Sequence, residues 1–274
     1  VTSKKIDDIL FEAEQLVSNG YKEIVLTGIH LGAYGKETGY QLNIINVLEE
    51  LQALPGLERI RLSSIEVNEV TDDLIDLIAD SDRVCPHFHL PLQSGDDYIL
   101  KRMNRKYDAA QYLETVERIR GRLELPSIST DILVGFPGEK RIHFENTMKL
   151  CEQAGFSRAH IFSYSPREDT PAAKMPDHCK PSDIKERKKE LEFLTAETSL
   201  EYKNLFVGRD IGILVEKERD KKTGKLCGYS DRYIKALFDG PDDLMNEIAD
   251  VHVESVSPQS VMGKCCSHAE RGNK

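Results

Sequence analysis

The feature that most constrains this chain is a short unit that recurs along it: an apolar run, a polar turn, then residues at helical spacing. It is clearest at Ser129-Thr-Asp-Ile-Leu-Val-Gly-Phe-Pro-Gly-Glu139. Ile132, Leu133 and Val134 are too few for a helix, include β-branched members and stop at Gly135, which predicts a buried strand. Pro137 fixes its φ and removes a ladder donor, and Gly138 permits a turn that other residues resist. Phe144, Met148 and Cys151 then follow at helical spacing. A strand, tight turn and helix start of this kind leaves backbone N–H groups at the carboxyl end of the strand, where α/β folds place their ligands.

Four further runs have the same character. Ile24-Val-Leu26 ends in Thr27-Gly28, Ile60-Arg-Leu62 ends in Ser63-Ser-Ile-Glu66, His89-Leu-Pro-Leu92 ends in Gln93-Ser94-Gly95, and His160-Ile-Phe162 leads to Tyr164-Ser-Pro-Arg167. Helices are predicted over about 42–53, 70–79, 109–120, 144–154 and 184–205. Alternating strands and helices imply a parallel sheet with right-handed crossovers. On a closed or partly closed barrel the strand ends would bring Thr27, Glu66, Gln93, Asp131, Glu139, Tyr164 and Arg167 around one mouth. Exposed loops are polar for unrelated reasons, but five successive ends of the same kind favour a shared cavity.

A formal net charge of −10 argues against a nonspecific polyanion binder. The charge is uneven: residues 207–274 hold 11 Lys and Arg against 12 Asp and Glu, so the acidity lies almost wholly before them and nucleic acid contact is expected at the C-terminal end or at local patches. A first amphipathic helix is predicted from Ile6 to Ser18, with Gly20 as its stop signal. No strand precedes it and the chain starts at Val1, so the expectation is a fragment whose first strand lies upstream. No apolar run of membrane length is present. The six cysteines, Cys85, Cys151, Cys179, Cys227, Cys265 and Cys266, are scattered, which suits a reducing, cytoplasmic compartment better than a disulfide scaffold. Cys151 fits a helix core face, and Cys265-Cys266 reads as tail.

Two clusters stay open at this level. His87 and His89 share a face of a strand and, with Asp131, could ligate a catalytic metal as in barrel hydrolases; a packing role is the alternative. Lys101-Arg-Met-Asn-Arg-Lys106 is either a solvated helix end or a phosphate contact near the mouth. After a charged helix that runs to about Phe206, the period changes to short strands at Ile211–Val215, Tyr233–Phe238 and Val251–Val256. They read as a small β domain with a core of its own, where Tyr229, Tyr233, Lys222, Arg232 and Lys235 offer stacking and phosphate contacts.

Taken together, Leu26-Thr-Gly-Ile-His-Leu-Gly-Ala-Tyr-Gly35, Arg59-Ile-Arg-Leu-Ser-Ser-Ile-Glu66, His89-Leu-Pro-Leu-Gln-Ser-Gly95, Leu100-Lys-Arg-Met-Asn-Arg-Lys-Tyr107, Thr130–Glu139 and Tyr164–Ala173 resemble the radical S-adenosylmethionine methylthiotransferases. The segments at 59–66 and 103–107 look most like the group acting on threonylcarbamoyladenosine in tRNA; related groups act on isopentenyladenosine in tRNA or on a ribosomal-protein aspartate. The resemblance implies an α/β fold: a partial TIM-type (β/α) radical-SAM barrel lacking its first strand over 1–206, a TRAM-like all-β RNA-binding barrel over 207–267, and a tail at 268–274. It implies S-adenosylmethionine and two [4Fe–4S] clusters as cofactors, the cluster cysteine motifs being absent from this sequence, so that the chain alone should be inactive. tRNA and an electron donor for the cluster would be partners. Thr27, Gly28, Glu66, Gln93, Ser94, Asp131, Gly135, Pro137 and Gly138 would face the cofactor. Glu139, Tyr164 and Arg167, with Lys222, Arg232 and Lys235, would face the substrate. Two positions depart from the family pattern: Lys140 stands where a hydroxyl residue usually follows Gly-Glu, and Asp169 where Gly usually precedes Thr-Pro. A metal-dependent hydrolase and a noncatalytic RNA-binding protein are the competing readings.

Overall fold

The computed structural model describes residues 2–39 and 41–266; the expected tail at 268–274 lies outside them. Along the chain run α1 (Ile6–Ser18), β1 (Glu23–Leu26), α2 (Ile44–Gln52), β2 (Arg59–Leu62), α3 (Asp72–Ala79), β3 (His87–His89), α4 (Asp97–Arg102), α5 (Ala109–Arg122), β4 (Ser127–Val134), α6 (Arg141–Ala154), β5 (Arg158–Ser163) and α7 (Pro181–Asn204). Five strands follow: β6 (Asp210–Val215), β7 (Leu226–Ser230), β8 (Lys235–Asp239), β9 (Ile248–Val256) and β10 (Val261–Cys265). They are grouped in two compact units. One comprises the described residues of Val1–Ser63, Leu77–His87 and Leu200–Lys274, the other Ser64–Asp76 and Phe88–Ser199.

In the first unit β1 and β2 pair in parallel, with Ile24 opposite Ile60 and Leu26 opposite Leu62. Helix α2 starts at Ile44 because the Asn43 side chain accepts the N–H groups of Ile45 and Asn46, while Asn46 returns a bond to the Asn43 N–H. Its Val47, Leu48 and Leu51 are buried with Leu57, Ile60 and Leu62. That is the expected outcome of an apolar stripe at helical spacing against a short parallel strand.

β6 to β10 close into a barrel in the order β10-β8-β7-β6-β9. Alternate residues point inward: Ile211, Ile213, Val215, Ala236, Phe238, Ala249, Val251, Val253 and Val261 are all buried. Two of these strands, β7 and β10, are absent from the sequence expectation, and Cys265 lies on β10 rather than in a tail. Each carries a glycine where strands cross closely. A Cβ on Gly228 would stand 2.1 Å from the Leu214 carbonyl oxygen, and one on Gly263, beside a register shift, 2.1 Å from that of His252. Such glycines weaken the strand pattern in sequence while being required by the closed barrel.

The barrel has its own core, yet β2 is tied to it. The Arg59 guanidinium donates to the carbonyl oxygens of Tyr229 (3.0 Å) and Gly212 (2.8 Å). Arg61, 1 % exposed, donates to both carboxylate oxygens of Glu23 (2.8 and 3.2 Å) and to the carbonyls of Ser230 and Asp231, with the Tyr233 ring stacked 4.3 Å from its Cζ. A buried charge is tolerated where its nitrogens find acceptors, and all three nitrogens of Arg61 do so, through four hydrogen bonds to one carboxylate and two carbonyls.

The second unit holds a parallel sheet in the order β3-β4-β5. β3 is shorter and earlier than the expected 89–92 strand. Pro91 has no N–H to give the ladder, and the Leu92 N–H turns instead to the Thr130 hydroxyl (2.9 Å), although Leu90 and Gln93 still donate to the Ser129 and Asp131 carbonyls (2.8 Å each). Ile128, Ile132 and Val134 of β4 pack with Tyr112, Val116 and Ile119 of α5 and Phe144, Leu150 and Cys151 of α6 in the buried core. Helix α4 is absent from the helices expected above, although its last turn holds Lys101 and Arg102 as the helix-end reading of the basic cluster had it; the Asp96 side chain starts it by accepting the Ile99 N–H (3.2 Å).

Replacing Arg61 by alanine would leave two carbonyls without their donor and the Glu23 carboxylate with Arg59 at 3.9 Å in place of two hydrogen bonds. The expected loss is about 3–5 kcal/mol in urea unfolding of the whole chain. A loss below about 1 kcal/mol would mean that the pair is no better than a surface ion pair.

Candidate functional site

On β4, Ser129 and Asp131 share one face, as the two-residue period of a strand requires, while Thr130, Ile132 and Val134 are buried on the other. His89 lies between the two polar groups: Nδ1 is 2.9 Å from the Ser129 hydroxyl oxygen and Nε2 3.3 Å from Asp131 Oδ2. On the other side of β4, Asp131 is in register with His160 of β5, and the His89 and His160 rings stand 6.2 Å apart. Three adjacent strands thus place an imidazole, a carboxylate and a second imidazole in one row. Burial tends to raise the Asp131 carboxyl, but the His89 hydrogen bond and the two imidazoles outweigh it and hold the pKa below the ordinary carboxylate value. Burial, aided by Arg158, holds His160 below the usual imidazole range, so its ring is neutral at pH 7. The row can accept and donate hydrogen bonds to a polar ligand and can hold a proton at a fixed imidazole.

Gln93 follows at the end of β3 with φ 62°, its backbone exchanging bonds with Asp131 and Leu133 of β4. Ser94 is buried, with its hydroxyl 3.3 Å from that of Thr147 and accepting the Asp96 N–H, so it serves the turn. The segment beyond it, α4 and the residues to Tyr107, reaches several of the loops at once. Arg105 pairs with Glu66 (2.9 Å), Arg102 Nε donates to the Pro137 carbonyl (3.0 Å), and the Tyr107 hydroxyl donates to the Pro91 carbonyl (2.7 Å). The basic cluster is therefore mostly engaged with the chain's own turns.

The Gly135–Glu139 turn is clasped from the other side by α7. Gly135 has φ 83°, and a Cβ there would lie 2.4 Å from Ile184, so only glycine fits. Glu139 is buried; one of its carboxylate oxygens accepts the Gly135 N–H (3.1 Å) and Arg187 Nη1 (2.7 Å). Burial raises its pKa, with Arg187 pulling in the opposite direction. The Gly138 N–H donates to the Asp177 carbonyl (2.8 Å). The Tyr164 ring packs edge-on to Phe136 at 5.4 Å, and its buried hydroxyl has no hydrogen-bond partner among the described residues. Arg167 is exposed. Asp169 has φ 69°, the conformation a glycine there would take freely, and Asp tolerates it better than most residues. Lys140 sits at the N-cap of α6 with no oxygen to offer the first turn.

In the first unit Thr27 and Gly28 are exposed just after β1 and line a cavity of about 510 Å³ with Ser3, Glu12, His30 and Tyr34. In the same unit Lys222 is exposed and in no ion pair among the described residues, Arg232 pairs with Asp231 (2.7 Å), and Lys235 pairs with Asp220 (3.2 Å). His87 packs on Tyr233 at 5.2 Å. Among the described residues no three His, Cys, Asp or Glu side chains are placed to hold a metal ion, so His87, His89 and Asp131 do not assemble as the hydrolase reading requires. The cysteines do not suit an iron–sulfur cluster either. All six are free thiols, and burial pushes Cys85 up to about 12 and raises Cys151, Cys179, Cys227 and Cys266, whereas a cluster needs thiolates converging on one point.

The sequence reading missed His160 as a member of the row, and Tyr98 and Arg187 as groups around the turn; Arg102 belongs to the basic cluster it singled out. Asp96 three residues before Ile99 was an available helix-start signal for α4. Nothing local marks Arg187, whose partner lies far along the chain. For Asp131, a carboxyl with a lowered folded pKa adds stability above its unfolded value of 3.8, and that stability is lost as the pH falls through the lower folded value. Between about pH 4 and pH 2 the urea midpoint of the native chain should therefore fall more steeply than that of Asp131→Asn. Parallel curves would remove any role for the His89–Asp131 pair in stability.

Residues 1–151 match the Radical SAM superfamily. The chain is 39 % identical over 262 residues to the threonylcarbamoyladenosine tRNA methylthiotransferase MtaB of Thermotoga maritima, covering 96 % of this chain and 59 % of that protein. It is 36 % identical to the tRNA-2-methylthio-N(6)-dimethylallyladenosine synthase of Alkaliphilus oremlandii, covering 96 % of this chain and 56 % of that one. The chain thus spans somewhat more than half the length of these curated relatives. Among solved structures it is similar to coproporphyrinogen III oxidase (HemN) of Escherichia coli, a radical SAM enzyme, with a TM-score of 0.52 and 15 % identity over 70 % of this chain and 46 % of that one. The alternating strands and helices, the polar groups at their carboxyl ends and this match over more than half of its residues agree: the chain belongs to the radical SAM superfamily.

Proposed function

We propose that this chain is the part of a tRNA methylthiotransferase that faces S-adenosylmethionine and the substrate, and that the enzyme replaces the C2 hydrogen of N6-threonylcarbamoyladenosine by a methylthio group. The observation that carries the reading is the likeness to the Thermotoga relative, which runs through 96 % of the chain and so includes the α/β part and the small barrel. That relative is a threonylcarbamoyladenosine tRNA methylthiotransferase. The dimethylallyladenosine synthases match over the same share of the chain at 36 % identity and support isopentenyladenosine as the second reading.

The residues of the second unit suit a bound nucleoside. The neutral His160 ring and the Asp131 carboxylate give a donor and acceptors on adjacent strands of one sheet, where a ribose or adenine edge would be held. Gln93 borders the same strand end, and Glu66, Ser94, Gly135, Pro137, Gly138 and Glu139 keep the surrounding turns in place. Thr27 and Gly28 are assigned to the cofactor in the first unit, and Arg167 to the substrate. The cysteines here do not fit a cluster, so cluster ligands are required from outside these 274 residues and no chemical step is assigned to them.

The closed five-stranded barrel is assigned as a TRAM-like RNA-binding module. Lys222, without an ion-pair partner among the described residues, is its best phosphate contact; Arg232 and Lys235 would have to give up Asp231 and Asp220.

Two measurements test this reading. Anaerobic reconstitution of the 274-residue chain with iron and sulfide should leave it colourless, and a stoichiometric cluster would contradict the thiol assignment. Nucleoside mass spectrometry of tRNA from a methylthiotransferase-deficient host should show methylthio-threonylcarbamoyladenosine when the complete gene is expressed. Methylthio-isopentenyladenosine instead would select the second reading, and neither product would overturn both. For the module, Lys222→Ala should lower the salt slope of tRNA binding by about 0.7–0.9, and Lys235→Ala by less.

A further inference from the structure

The segment from Asp97 to Lys106 does more than brace the turns of the second unit; it presents an aromatic ring and cations on its outer side. Tyr98 is 50 % exposed. Its ring is held in place by Arg102, whose Cζ lies 5.5 Å from the centroid and whose Nη1 is 3.3 Å from the hydroxyl, and by the His143 ring at 5.0 Å with a tilt of 36°. Arg102 also donates to the Pro137 carbonyl, which places this stack beside the turn that follows β4. Lys101, next to Arg102, and Lys140, three residues before His143, are both exposed and form no ion pair among the described residues. Asp97, the nearest acid in sequence, is engaged with the Ala109 N–H (2.9 Å), and Glu145 and Glu190 with Arg141.

Two of these choices cost stability locally. An exposed tyrosine on a two-turn helix gains little from burial, and a lysine at an N-cap forgoes the hydrogen bond that a serine or threonine would make. Local departures of this kind are expected at places where recognition helps to select the residue. In a protein with a net charge of −10, a pre-oriented aromatic face between two unpaired lysines, at the carboxyl ends of β3 and β4, fits an unpaired nucleotide flanked by phosphates.

Building on the tRNA reading above, we propose that Tyr98, backed by Arg102 and flanked by Lys101 and Lys140, is a stacking and phosphate contact for single-stranded RNA. One loop base stacks on the ring, and the lysines neutralise the phosphates on either side of it. Arg102 is a positioning residue here, since it sets the ring and the Pro137 turn together.

Binding of the full chain to a fluorescein-labelled hairpin RNA with an unpaired loop, and to a fully paired RNA of equal length, tests the assignment. Tyr98→Ala should weaken hairpin binding about tenfold and leave duplex binding nearly unchanged, and Tyr98→Phe should keep hairpin affinity within about twofold. Lys101→Ala and Lys140→Thr should each lower the slope of log affinity against log salt by about 0.7. Lys140→Thr should also raise the melting temperature by restoring a cap, so that its weaker binding is not a folding defect. Hairpin affinity unchanged in Tyr98→Ala, or an equal loss for hairpin and duplex, overturns the stacking site while leaving the tRNA reading in place. A native chain that binds neither RNA overturns both.

Discussion

Buried guanidinium groups hold the polar parts of this molecule in position. Arg59, Arg61 and Arg187 are 6, 1 and 7 % exposed, and each spends its donors on carbonyls or carboxylates that loops and strand ends would otherwise leave unpaired. Arginine suits this work because its fork of fixed donors can meet several acceptors at once and stays charged when buried. In the first unit the fork tethers β2 to the five-stranded barrel. In the second it locks Glu139, and through Glu139 the N–H of Gly135, so that the turn after β4 keeps its shape without regular structure. Removing one partner from such a site leaves a bare charge in a low-dielectric setting, which is why these contacts are all-or-none.

With the turns fixed in this way, the sheet of the second unit can leave polar groups available. His89, Asp131 and His160 come from three neighbouring strands and are aligned by the ladder itself, not by loops. Strand-borne groups keep their spacing when a ligand arrives, which lowers the ordering cost of binding. The segment around α4 adds a second layer, since Arg102 and Arg105 tie it to Pro137 and Glu66 while Tyr98 and Lys101 remain outward. Interior positioning and outward recognition are thereby carried by different residues of one short stretch.

Much of the fold was legible beforehand because its signals are local. The helix Ile6–Ser18, the strands around Ile24, Ile60, Ile132 and Ile161, and the helices at α5 and α6 follow from apolar spacing with Asp, Asn and Gly as stops. The strand near His89 was placed late, because Leu90 to Leu92 look like a strand in composition while Pro91 removes the donor that would keep them in the ladder. β7 and β10 were missed because Gly228 and Gly263 dilute the strand pattern. Their reason, a neighbouring backbone about 2.1 Å from a would-be Cβ, exists only once the barrel has closed.

The site divides along the same line. Residue type and order determined that polar groups follow each apolar run and that Gly135, Pro137 and Gly138 make a turn; the expected place of Asp131 at a strand end is corrected by the structure, where β4 begins at Ser127 and carries Asp131 in its middle. Only the tertiary structure decided that His160 lies beside Asp131, that Glu139 is consumed by Arg187, and that Arg61 reaches the barrel from β2. Those pairs are separated by tens of residues or more in the chain, and which distant charges meet is set by sheet register and helix packing, for which a local pattern carries no term.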